Sequence, residues 1–107
     1  MPIIKRFTPY IRENVKLESD KIGVYEIANS KKNVIYIGRG QIKVRLVRHS
    51  NKNSDDYIPN AKFYRIEYFG DDKRGKQREK ALLNQFHKKH HKYPRHNFRL
   101  GEIPDLL

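Results

Sequence analysis

Two helical stretches of this chain carry reactive polar side chains where an amphipathic pattern calls for apolar ones. From Gln41 to about His49, Ile42 and Leu46 recur at helical spacing, and Arg45 and His49 fall on the same stripe. An arginine there clamps a phosphate through two parallel donors, and a histidine moves a proton near neutral pH. The plainer account is an arginine whose stem packs while its head reaches water, beside a satisfied core histidine. Farther along, Glu79 precedes Leu82, Leu83 and Phe86 at helical spacing, so its carboxylate extends their stripe. It is also the only acid in residues 73–99, which hold ten lysines and arginines. A carboxylate facing a sheet among cations is either a buried ion-pair partner or a ligand for a hard metal ion. His87, His90 and His91 sit at spacings zinc can use, but neighbouring lysines repel a cation and no cysteine completes a tetrahedron, so they read as part of a basic face.

The elements that must hold these side chains follow from the apolar periods. Residues 21–28 alternate as a strand, 29–33 form a polar connection, and 34–37 are a dense apolar strand, which together make a hairpin. Gly38-Arg39-Gly40 is expected to break that strand and to turn backbone N–H groups toward an anion ahead of the helix over 41–49. A polar loop spans 51–60, a third strand 61–69, and a second helix about 73–91. Residues 1–20 read as a lead-in segment, and the tail over 93–98 as irregular. The expected architecture is α+β, a small three-stranded antiparallel sheet flanked by helices in the order β-β-α-β-α, with the domain at 21–107.

Composition narrows the function. The 107 residues include 24 Lys and Arg against 12 Asp and Glu, a formal charge of +12. Such a surface draws in polyanions and releases their counterions, which points to nucleic acid before an anionic membrane. No apolar run approaches the ~18 residues of a membrane span, and the N-terminus lacks the pattern of a secretion signal. Without cysteine there is no disulfide framework and no thiolate metal site. A cytoplasmic, intracellular location is the simplest expectation. The cations expected on the nucleic acid are Arg39, Lys43, Arg48, Lys76, Arg78, Lys88, Lys89 and Arg95.

Gly23-Val24-Tyr25 and Tyr36-Ile37-Gly38, separated by the ten residues from Glu26 to Ile35, resemble the two tripeptides that name the GIY-YIG nuclease family. Val24 stands where the family has isoleucine, and the second tripeptide matches letter for letter. The family continues with an arginine on the first helix, often a histidine or tyrosine one turn later, a metal-binding glutamate on the second helix and a late asparagine. Arg45, His49, Glu79 and Asn97 occur here in that order, and the likeness spans roughly residues 21–99.

The resemblance implies hydrolysis of DNA phosphodiester bonds with one divalent ion, Mg²⁺ or Mn²⁺. Glu79 would hold the metal, Arg45 would neutralise the phosphate as its charge grows, and Asn97 would position the metal site or the phosphate. Tyr25 would orient or deprotonate the attacking water, helped by Tyr36 or His49. His49 is the easier base because a free tyrosine titrates near pH ~10. The competing expectation is a basic module that binds DNA or RNA without cutting it, with Tyr64, Tyr68 and Phe69 as base-stacking or core aromatics. A lone catalytic core would draw its specificity from a homodimer, from branched DNA shape or from a targeting partner.

Overall fold

A computed structural model of the chain describes residues 3 and 5–100. The elements are β1 (Thr8–Pro9), α1 (Arg12–Leu17), β2 (Ile22–Ala28), β3 (Val34–Gln41), α2 (Ile42–Ser50), β4 (Phe63–Tyr68), α3 (Asp72–His90) and α4 (Arg95–Leu100). The strands form one antiparallel sheet in the order β1-β4-β2-β3. The α+β class is as expected, but the sheet has four strands and the element order is longer than β-β-α-β-α.

The additions come from elements too short to show a period. Thr8 and Pro9 pair with Tyr64 and Phe63; an outer strand tolerates proline because no neighbour needs its missing N–H. In α1 a single residue, Val15, is buried, so no amphipathic stripe betrays the helix. The Tyr64 and Tyr68 hydroxyls both donate to the Glu18 carboxylate just beyond α1, at 2.7 and 2.9 Å. These two tyrosines therefore anchor the lead-in segment to the sheet. In the tail, α4 follows Pro94, whose carbonyl accepts from the Asn97 N–H at 3.0 Å. With six residues it is too short for an apolar interval to repeat, and His and Asn have only middling helix propensity.

β2 is central and buried from Gly23 to Ala28. Tyr25 and Ile27 pack with Ile42 and Leu46 of α2, while Val24 packs on the opposite face with Leu82 and Leu83 of α3 and with Ile3. The expected break at Gly38-Arg39-Gly40 does not occur. The ladder runs on, with Tyr25 opposite Gly38 and Gly23 opposite Gly40. Glycine is needed at position 38 because a Cβ there would lie 2.5 Å from the Tyr25 ring and hydroxyl and 2.6 Å from the Tyr36 ring. Gly40 is required for a different reason, a φ of 140° that L side chains rarely adopt.

The Asp71 carboxylate caps the N-terminus of α3, accepting from the Arg74 N–H at 2.7 Å. His91 closes its other end in the left-handed region at φ 60°, outside the helix that His87 and His90 occupy. Among the described residues no helix is long and apolar enough to cross a membrane.

Candidate active site

Tyr25 on β2 and Tyr36 on β3 stand side by side on the sheet face that α2 covers. Their rings meet each other at 5.9 Å between centroids, and His49 of α2 lies against both, at 5.6 and 4.9 Å. All three side chains are fully buried. His49 Nε2 is 2.6 Å from the Tyr25 hydroxyl oxygen, and His49 Nδ1 is 2.8 Å from the Asp56 carbonyl oxygen. A carbonyl only accepts, so Nδ1 carries the hydrogen; in the neutral ring Nε2 is then a bare acceptor, and Tyr25 O–H donates to it.

The ring is neutral at physiological pH. Burial is the main reason its pKa falls to about 4, and the charges of Arg45 and Arg48 push the same way. The bond to the Asp56 backbone and that residue's carboxylate oppose them. Arg45, four residues before His49 on α2, donates from Nε to the Tyr25 hydroxyl at 3.4 Å. Gly40 gives its stem room, since a Cβ there would touch the Arg45 Cγ at 3.3 Å. The Tyr36 hydroxyl is buried and has no hydrogen-bond partner among the described residues, an orphan of the kind that a water or substrate oxygen satisfies.

Glu79 approaches from α3, on the other face of the sheet. Arg39, on β3, reaches it with Nε at 3.3 Å from Oε1 and bonds Asp72 through Nη1. The arginine thus bridges two carboxylates that lie two turns apart on α3. Burial raises the Glu79 pKa, opposed by the charges of Arg39 and Arg45. Neighbouring residues at the end of β3 serve the two faces, Arg39 bonding Glu79 on one and Gly40 lying against the Arg45 stem on the other. As the structure stands, Glu79 is an ion-pair partner. For a hard cation its donors are suitable: Mg²⁺ commonly uses one or two carboxylates and keeps several waters, and Glu79 and Asp72 already share one cationic group. Among the described residues no cluster of three His, Asp or Glu side chains forms a cage made of protein alone.

Of the residues singled out from sequence, Tyr25, Tyr36, Arg45 and His49 meet directly, and Glu79 lies within their electrostatic reach. Asn97 is elsewhere. Its Oδ1 accepts from the Ile37 N–H and its Nδ2 donates to the Ile37 carbonyl, both at 2.8 Å. It is fully buried on the outer side of β3, where it fastens α4 to the strand. The cations divide into two groups. Arg39, Arg48 and Arg78 are held by Asp72 and Glu79, by Asp56, and by Glu67, whereas Lys76, Lys88, Lys89 and Arg95 are exposed and Lys43 is half-buried.

Two participants were not singled out from sequence. The Asp56 carbonyl belongs to the backbone and has no signature in residue type. Asp72 did leave a signal, because it precedes Glu79 by seven residues and shares its helical stripe.

Residues 1–89 match a family model described as Domain of unknown function (DUF7508). The matched span contains every residue of the site and excludes Asn97. No curated protein matches the chain.

Proposed function

We propose that this chain, which belongs to the family described as Domain of unknown function (DUF7508), is a metal-dependent endonuclease that hydrolyses DNA phosphodiester bonds through a GIY-YIG-like site. The observation that carries this reading is the line from the Asp56 carbonyl through His49 to the Tyr25 hydroxyl, with Arg45 beside that hydroxyl.

In this reading the attacking water donates to the Tyr25 oxygen while the tyrosine's own proton moves to His49 Nε2. The Nδ1–H bond to Asp56 orients the ring and supports the imidazolium that forms. A histidine with a pKa of about 4 keeps Nε2 empty at neutral pH, so it is always ready to accept, but it is a weak base. Proton transfer is therefore coupled to water attack and does not precede it. Tyr25 has no exposed surface, so water reaches its hydroxyl only when a neighbouring side chain yields, and Arg45 is the cation bonded there. Arg45 then serves the phosphate, where its charge counts for more in the transition state than in the ground state. Glu79, with Asp72 beside it, would hold a divalent ion, which when bound offsets charge on the phosphate and the departing 3′ oxygen. Arg39 must first leave Glu79, and its freed guanidinium is then a phosphate donor. The reading includes an intracellular site of action.

The test is cleavage of supercoiled plasmid, branched DNA, single strands and RNA with Mg²⁺ or EDTA, using wild type, Glu79→Ala and Arg45→Ala. Cutting of DNA that EDTA and both substitutions abolish, with circular dichroism and DNA binding retained, is the expected result. Variants that cut like wild type would overturn the assignment. A second reading, a module that binds DNA or RNA without cutting, is favoured by the hold of Arg39 on Glu79. Salt-sensitive binding with no cleavage of any substrate would select it.

A further inference from the structure

Beyond the tyrosine site, a second concentration of cations lies at the C-terminal half of α3. A groove of about 970 Å³ opens there between α3, the turn joining β2 to β3, and the residues that follow α3. Its cations are Lys32, Arg65, Lys89, Lys92 and Arg95, and its one carboxylate is Glu26. Arg65 already holds Glu26 at 2.6 Å, so the carboxylate does not neutralise the other four. None of those four joins an ion pair among the described residues.

The apolar lining of the groove joins two aromatic rings to Val34, Ile35 and Leu82. Phe86 and Tyr93 line it, half-buried against the Leu82 and Leu83 cluster, Phe86 tilted against His90 at 4.3 Å and Tyr93 against His87 at 4.7 Å. The Tyr93 hydroxyl is buried without a hydrogen bond among the described residues. A cationic rim over aromatic faces suits a strand whose bases are free to stack while its phosphates meet the cations. A duplex keeps its bases stacked inside, so recessed aromatic rings have nothing to receive.

We propose that this groove is a track for an unpaired DNA strand, so that the DNA cut by this protein carries a single-stranded arm. That the strand is DNA rests on the nuclease reading; the preference for an unpaired strand rests on the groove alone. Ten residues of α3 separate Glu79 from Lys89, about 15 Å of helix. At the ~3.4 Å rise per nucleotide of a strand in duplex DNA, the arm leaves the duplex within roughly four nucleotides of the phosphate that is cut.

The experiment measures binding in EDTA by fluorescence anisotropy, with Glu79→Ala protein so that nothing is cut and an inactive enzyme leaves the readout intact. The probes are labelled oligothymidine, labelled oligouridine and a short hairpin duplex. Four strand contacts give a salt slope of about −3, at about −0.7 each. The added exposed-site changes Lys89→Glu and Lys92→Glu, checked by thermal melting, should weaken oligothymidine binding about tenfold or more and roughly halve that slope. Duplex binding should change less than about threefold. Equal weakening of both DNA forms, or unchanged oligothymidine binding, overturns the track. Tighter binding of oligouridine than of oligothymidine overturns its assignment to DNA.

Discussion

His49 offers a test of the proton relay that needs no substrate. Its folded pKa is about 4, against an ordinary value of 6.5. Between those values the unfolded chain binds a proton that the folded chain refuses. Stability therefore rises with pH across the window. The contribution is fully present above about pH 6.5 and is lost as pH falls toward 4. The gap is about 2.5 pH units, and at ~1.36 kcal/mol each it amounts to about 3 kcal/mol, undiminished by solvent because the ring has no exposed surface. His49→Gln removes the titration and keeps a polar side chain. Urea denaturation at intervals from pH 7.5 to 4 reads the difference. The wild type should lose about 3 kcal/mol more than the variant. Glu26 and Glu79 do not confuse the comparison. Burial raises both their pKa values, so each holds its proton more tightly when folded and adds stability as pH falls; both are present in both proteins and cancel. Parallel curves would refute the reasoning. They would mean that folded His49 takes a proton near its ordinary pH, donates from Nε2 to Tyr25, and cannot receive the tyrosine's proton.

Two further changes separate structural roles from chemical ones. Asn97→Ala leaves the buried Ile37 N–H and carbonyl without partners, which should cost about 2–4 kcal/mol and lower Tm by roughly 10–20 °C by calorimetry. At a temperature where that variant is folded, its cleavage rate should stay within a few-fold of wild type; a rate lost without a loss of Tm would return Asn97 to the chemistry. Arg39→Gln frees Glu79 and Asp72 from partly exposed ion pairs worth about 0.5–1 kcal/mol each. Mn²⁺ should then bind about three- to tenfold more tightly by isothermal titration, and unchanged or weaker binding would count against Glu79 as the metal ligand.

What the sequence disclosed of this molecule followed side-chain periods. The hairpin bearing Tyr25 and Tyr36, the stripe of Arg45 and His49, and the place of Glu79 on a long helix were all legible, because each element is long enough to repeat an apolar interval. Thr8–Pro9 and Arg12–Leu17 are too short for any interval to repeat. Gly38 and Gly40 read as breakers, yet they are what lets β3 run on, because only the opposing Tyr25 and the neighbouring Arg45 give them that purpose. The meeting of Arg39 with Asp72 and Glu79 needs β3 and α3 to be adjacent, which no local pattern states. The neutrality of His49 depends on burial and its tautomer on a carbonyl seven residues away, and neither is written in residue types. For Asn97 residue order was a poor guide, since its two bonds go to the backbone of β3.

That last pairing has a consequence for how copies of this protein can meet. β3 ends the sheet on its side, and such a strand ordinarily serves as a template on which another chain can align. The Asn97 carboxamide offers Ile37 one donor and one acceptor, as a peptide group would, and so imitates a single residue of the missing neighbour. A second copy cannot extend the sheet past Ile37 without evicting it. Pairing of a second copy on β3 is thereby blocked at that rung, as is runaway stacking that needs both edges of the sheet, and a dimer that extends the sheet is left the β1 side.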